Sequence, residues 1–525
     1  MIRLHRKKPL TPVLFSALIV LSGCAGQQNQ MAPRSEAHMQ VAPLQEHSII
    51  GKDALAATID RLLQDPVLKT ATTGVHVVNL TNGDVLYSRN ADKLFHPASN
   101  MKLFTSVAAL TTMGPEHRLT TRALIDSAAV PADTVRSPIW LTGAGDPEFT
   151  LGDMAELVEQ LAALGITAID GDIICDDSKL DTLYMGEGWM WDDKSSWFWP
   201  PLSAMVVNRN SVEFSLRADS ILGAPARYRT VPAIPYFDIV NTSISLPRDS
   251  LRTLLADSTQ TIQWLKAERR WQKEQEIIDI TGYALTGAPE KNFTIEVVDA
   301  VRYFGTVFRA LCERAGIRIT GSIRRGRAPE NARIVASHAS PPLSSLLTAM
   351  NKPSDNLHAE LLLKLAGAAA YGTPGTAKKG IRVIKTFLGQ AGIDTATIRF
   401  SDGSGVSRYN LVMPKTITGL LAAVYDHFSF SSEFIASLPI AGIDGTLDRR
   451  MHGTAAEGVL HAKTGSLSGV STLAGYVPSA EGDMLAFSIM MSHFTGEAGP
   501  RRRIQDRICD ALARFSMHEK FTGSE

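Results

Sequence analysis

The sequence predicts a mixed α/β (α+β) protein with helix-and-strand patterns toward both ends and a long, largely β stretch between them. Three observations predict it. Thr73 to Tyr87 alternates apolar and polar residues about Asn82-Gly83, a hairpin pattern, and an apolar helical stretch follows Lys102. Much of Asn210 to Ile280 is strand-like, with turns at Gly223-Ala-Pro and Pro247-Arg-Asp. From Pro341 onward helical runs return, then an alternating strand from Val470 to Val477 and a closing helix from Arg503 to Phe515.

Composition sets the outer limits. The chain has 525 residues, 44% hydrophobic and 20% charged, which fits a folded protein of several domains. Lys+Arg and Asp+Glu are 53 each, so the basic excess of a nucleic-acid binder is missing. Four Cys and no Cys-x-x-Cys pair argue against a disulfide scaffold or a zinc site. Cys175, Cys312 and Cys509 read as small buried hydrophobes, with one disulfide as the alternative.

The elements follow in order. Arg3, His5, Arg6, Lys7 and Lys8 precede a short apolar core, Val13 to Leu21. That core is too short for the roughly 20 residues of a spanning helix, so it reads as an export signal. It ends in Leu21-Ser22-Gly23-Cys24, which resembles the lipobox of bacterial lipoproteins. The resemblance implies cleavage before Cys24 and acylation there, a membrane anchor. An ordinary signal peptide ending near a Cys is the alternative. Ala25, rather than Asp, resembles the sorting pattern of outer-membrane lipoproteins, so the expectation is an exported, periplasm-facing, outer-membrane-anchored protein. Residues 1–24 are thus read as signal and 25–47 as a flexible tether. Residues 48–118 form the first part of the main body, 119–336 the inserted domains, and 337–525 the second part. Within the insertion, a strand (Ile139 to Thr142), a helix (Met154 to Leu164), a strand (Ile169 to Cys175) and a helix (Phe293 to Arg314) are expected.

Three short motifs carry the chemistry. In His96-Pro97-Ala98-Ser99-Asn100-Met101-Lys102, Pro97 approaches a helix start, and Ser99 and Lys102 lie one turn apart on one face. A neutral lysine amine can take the serine proton, and burial or a neighbouring cation would favour neutrality. This nucleophile–base pair needs no histidine. In Lys352-Pro353-Ser354-Asp355-Asn356, a loop runs into a helix; Ser354 suits a proton relay and Asn356 a substrate amide, while an ordinary helix cap remains the alternative. In His461-Ala462-Lys463-Thr464-Gly465-Ser466, Gly465 allows close approach of a peptide to a strand edge, and Lys463 and Thr464 suit its terminal carboxylate. A plain strand and turn is the alternative there.

Ser-x-x-Lys, Ser-x-Asn and Lys-Thr-Gly, in this order, resemble the signatures of penicillin-binding proteins and class A β-lactamases. Ser354 follows Ser99 by 255 positions and Lys463 follows Ser354 by 109. The long first interval is similar to that of the D-alanyl-D-alanine carboxypeptidase/endopeptidase family (low-molecular-weight class C penicillin-binding proteins), in which inserted domains split a serine β-lactamase/transpeptidase-like catalytic domain. Further segments resemble the same family: Gly145-Asp146-Pro147, Gly188-Trp189-Met190-Trp191-Asp192-Asp193, Val207-Asn208-Arg209-Asn210, Ser401-Asp402-Gly403-Ser404-Gly405-Val406-Ser407-Arg408, and Ala441 to Leu447. The resemblance covers about residues 48 to 515.

The resemblance implies a serine acyl-transfer enzyme acting on the D-alanyl bonds of peptidoglycan stem peptides. Ser99 is its nucleophile, Lys102 the base, Ser354 the proton relay, and the backbone N–H groups of Ser99 and Ser466 the oxyanion hole. Lys463, by this reading, keeps the surroundings of Lys102 positive and so holds it neutral. Thr464 and Gly465 would bind substrate; Asp193 and Arg408 would meet a diaminopimelate side chain, with a structural salt bridge or surface charge as the alternative. β-Lactam antibiotics would acylate Ser99 as inhibitors. No metal or organic cofactor is called for. A β-lactamase, and a catalytically silent peptidoglycan-binding lipoprotein, remain the competing functions.

Overall fold

The computed structural model describes residues 48–129, 133–190, 200–250, 262–270 and 276–518, all inside the unit Ser48–Glu525. Cys24, with its lipobox and tether, lies outside the described residues, as does Asp193.

The expected hairpin forms between Thr72–Asn79 (β1) and Val85–Arg89 (β2), turning at Gly83 with φ 81°. Asn82 closes the turn by accepting the Asp84 N–H at 2.9 Å. The hairpin joins His461–Leu467 (β3), Val470–Pro478 (β4) and Met484–Ser492 (β5) in one antiparallel sheet, ordered β3-β4-β5-β1-β2. Residues more than 400 positions apart, such as Thr72 and Ser492, therefore sit on adjacent strands.

Both faces of this sheet are covered. Along β5, Leu485, Phe487, Ile489 and Met491 enter one apolar cluster, while Ala486 and Met490 enter another, the period-2 alternation of a strand buried on both sides. The first cluster contains Lys52–Leu63 (α1) and Gly499–Ala513 (α5). The second contains Met101–Met113 (α2), Asn356–Tyr371 (α3) and Pro414–Tyr425 (α4). Every residue of α2 from Met101 to Leu110 is buried, so it is a core helix rather than an amphipathic surface one.

Between α2 and α3 the chain builds a second core. A five-stranded sheet runs Ile323–Arg325, Ile173–Asp176, Ile139–Thr142, Thr120–Ile125, Arg333–Ala339. Smaller sheets, among them Arg227–Val231, Ser211–Arg217 and Lys291–Glu296, join it with helices Leu151–Ala163 and Ala300–Arg314 around a shared apolar cluster.

Two element expectations need correction. The strand expected from Ile169 to Cys175 is broken: Ala168–Ile169 and Ile173–Asp176 belong to different sheets. Gly171 makes the break, its backbone packed so tightly on Ser137 that a Cβ would stand 2.5 Å from the carbonyl oxygen. The helix expected from Phe293 begins only at Ala300. Phe293 to Glu296 pairs with Ser211 to Phe214, and Asp299 starts the helix by accepting the Val301 and Arg302 N–H groups. Cys175, Cys312 and Cys509 are free and buried, as small hydrophobes are.

Candidate active site

Ser99 sits in a single 3-10 turn, Ala98–Asn100, that leads into α2. The turn is stitched to the sheet. Thr472 donates to the Pro97 carbonyl at 2.9 Å, and the Asn100 amide donates to the Lys463 carbonyl at 2.7 Å. One helical turn on, Lys102 is fully buried, and its Nζ donates to Ser99 Oγ at 3.1 Å. It also donates to Asn356 Oδ1 at 2.7 Å and to the Ser404 carbonyl at 2.9 Å. Three acceptors match the three N–H bonds of an ammonium.

The second motif stands at the head of α3. Asp355 is the helix cap, accepting the His358 N–H at 2.9 Å. The ordinary-cap reading is thus true of Asp355, while Ser354 and Asn356 on either side line the cleft that contains Ser99. Ser354 has φ 68°, a left-handed conformation that costs a non-glycine residue about 1–3 kcal/mol. The cap is also held from the insertion: Arg209 pairs with Asp355, and Glu148 lies 2.7 Å from His358 Nε2, whose Nδ1 is 2.8 Å from Asp355. Burial opposes the Asp355 charge, yet the His358 bond and the two cations hold its carboxyl well below the usual range. Burial likewise opposes protonation of His358, but its bonds to Asp355 and Glu148 raise it.

The third motif is β3. Lys463 is fully buried, its Nζ donating to the Thr464 carbonyl at 3.1 Å. Thr464, Gly465 and Ser466 line the same cleft, whose volume is about 450 Å³. A Cβ on Gly465 would stand 2.2 Å from Thr472 Oγ1 and 3.0 Å from the Ser99 nitrogen, so only glycine lets the strand pass the serine. Arg408 donates to the Ser468 carbonyl at 3.1 Å, beyond the residues that line the cleft.

The cleft holds groups the motifs did not name. Thr446 accepts from Thr464 at 2.8 Å, and Arg502 donates to Ser466 Oγ at 3.1 Å. Thr446 lies in the Ala441 to Leu447 segment already singled out; Arg502, inside an unremarkable helical run, carried no local signal.

Burial acts on both lysines of the site. Burial pushes Lys102 down to about 8, while Asp355, Asp402 and Glu360 push it back up. Lys463 is pushed well below its ordinary range by burial and then by Lys102.

Residues 55–514 match the D-Ala-D-Ala carboxypeptidase 3 (S13) family. A D-alanyl-D-alanine carboxypeptidase of an Actinomadura species is 34% identical over 488 residues, covering 90% of this chain and 86% of the relative. A D-alanyl-D-alanine carboxypeptidase of Haemophilus influenzae is 27% identical over 428 residues, covering 79% and 84%. In fold, the chain is similar to crystalline penicillin binding protein 4 of Haemophilus influenzae, with TM-score 0.76 and 24% identity over 87% of this chain and 99% of that one. A further crystal structure of that protein is a β-lactam complex. With the family match running from α1 to the end of α5, this chain belongs to the D-Ala-D-Ala carboxypeptidase 3 (S13) family.

Proposed function

We propose that Ser99 is the nucleophile of this serine D-Ala-D-Ala carboxypeptidase/endopeptidase. The observation that carries the proposal is a serine hydroxyl 3.1 Å from a buried amine whose pKa has been pushed down to about 8. Ser99 Oγ attacks the carbonyl carbon of a D-alanyl bond as neutral Lys102 takes its proton. Backbone N–H groups of Ser99 and Ser466 stabilise the oxyanion, each contributing about 10²–10³ in rate. The proton returns through Ser354 to the departing amine. Water then cleaves the ester and restores Ser99.

Substrate completes the electrostatics. A terminal carboxylate meeting Thr464 and Lys463 favours the charged form of Lys463. Charge on Lys463 disfavours a second charge on Lys102 and so lowers the pKa of the base. A β-lactam carries both the carboxylate and the reactive carbonyl, so it acylates Ser99 by the same route. Arg408 and Asp193 serve the diaminopimelate side chain of a cross-link, and Cys24 carries the lipid that anchors the protein in the outer membrane.

Labelled penicillin on the protein and on Ser99→Ala tests the assignment by intact mass. An adduct on the wild type alone supports it; an equal adduct on Ser99→Ala overturns it. Mass analysis of protein purified from membranes reads out the lipid, and a Cys24→Ala protein that stays in the membrane fraction contradicts the anchor.

A further inference from the structure

The partners of Lys102 come from one face of α3. Asn356 and Glu360 are four residues apart and so project from the same side of the helix. Asn356 meets Lys102 directly. Glu360 is fully buried, and its Oε1 accepts the Gly403 N–H at 3.0 Å and the Ser404 N–H at 2.7 Å. The carbonyl of that same Ser404 accepts from Lys102. One carboxylate therefore fixes the peptide segment that supplies the lysine's third acceptor.

The Ser404 hydroxyl also hydrogen-bonds the carboxylate and favours its charged form. The cation one turn further along, Lys364, is already engaged, donating to Asp181 at 2.7 Å and to the Leu183 carbonyl at 2.6 Å. Glu360 Oε2 is buried with no hydrogen-bond partner among the described residues. The charged groups around Glu360 are Lys102 on α2, Asp402 in the 401–408 loop, and Asp355, His358 and Lys364 on or at the head of α3. The cavity of about 380 Å³ behind it also carries Asp181, Glu187, Lys378 and Arg399. Burial and the charge of Asp402 raise the Glu360 carboxyl to about 7. A carboxylate in the core is unfavourable for the fold unless hydrogen bonds and a nearby cation match it.

We propose that Glu360 is a positioning residue for acylation, holding the Ser404 carbonyl against Lys102 and favouring the charged form of that lysine until substrate arrives. This rests on Lys102 being the base. Glu360→Gln keeps an oxygen for the two N–H groups and removes the charge, so Lys102 loses a group that raises its pKa. The acid limb of the acylation pH profile, measured with labelled penicillin on the full chain, moves to lower pH by about half a unit. Relative to its own plateau, the variant then acylates about twofold faster than the wild type near pH 7.5, and the two converge toward pH 6, where the wild-type carboxyl is itself largely protonated. Glu360→Ala frees the loop as well, and its plateau falls at least about tenfold.

A Glu360→Gln profile that coincides with the wild type, or moves to higher pH, overturns the proposal. So does a folded Glu360→Ala protein that acylates at the wild-type rate. Should Glu360→Ala show no cooperative thermal transition, the Gln variant decides alone. A wild type that forms no adduct would instead refute Lys102 and Ser99 themselves, so the two failures are distinguishable.

Discussion

Lys102 is held by three acceptors in a site where its charge is poorly solvated, and this tension makes its basicity measurable. The amine acts as a base only when unprotonated. With its pKa at about 8, the neutral fraction grows about tenfold per pH unit below 8 and levels above it. Acylation by penicillin, followed by stopped flow, is therefore expected to rise from pH 6 to about 8 and then flatten. A profile flat across that range would show that Lys102 is not the base. Lys102→Ala is expected to slow acylation by about 10²–10⁴, the usual contribution of a positioned base. This pair was legible in the sequence because three-residue spacing in a helix is a local rule. Ser404 was singled out only as part of a resembling segment, and its contact with Lys102 was not legible, nor were Glu360 and Arg502, because these contacts close over long stretches of chain; Lys102 and Ser404 are 302 positions apart.

The 401–408 loop and the head of α3 set the site at the next scale. Gly405 has φ 89°, and a Cβ there would stand 1.7 Å from the Ala98 carbonyl oxygen. Gly405→Ala must push the Ser99 turn away, so a lost penicillin adduct and a lowered thermal transition are expected; wild-type acylation would contradict this packing. Asp355→Asn keeps a capping oxygen but removes the charge facing His358. It is expected to lower stability by about 1–3 kcal/mol in urea unfolding, the cost of an unmatched buried polar group. Its pH dependence has a definite sign. His358 is raised above 6.5, so its pairing stabilises the fold below pH 6.5 and is lost as pH rises through the folded value. Asp355 is depressed below 3.8, so its share is present above pH 3.8 and lost as pH falls through the folded value. In the Asn variant the His358 pKa, followed by NMR, should fall; an unchanged titration would contradict the pairing. At this scale hairpin, core helix and motif strand were readable from alternation. The strand break at Gly171 was not, because it arises from a close approach to Ser137, 34 residues earlier, with no mark in the local pattern.

At the scale of the whole molecule, the chain between α2 and α3 reaches the main body through Ala144, Leu180, Leu202, Ala204 and Val206, which share the apolar cluster of those two helices. Arg209 and Glu148, from the segment between α2 and α3, reach Asp355 and His358 beside Ser354 and Asn356. The inserted chain thus helps set the loop that carries Ser354 and Asn356. Motif order and the long first interval made the split body legible; Arg209 lay in a segment singled out by resemblance, but its pairing with Asp355 was not legible, and Glu148 does not differ from a surface charge in sequence. The measurement that tests the central claim most directly is the intact mass of the protein with labelled penicillin, followed over time beside Ser99→Ala. The account predicts a lasting adduct on the wild type and none on the variant. A folded wild type that never forms the adduct, or one that sheds it within seconds as a β-lactamase would, contradicts it.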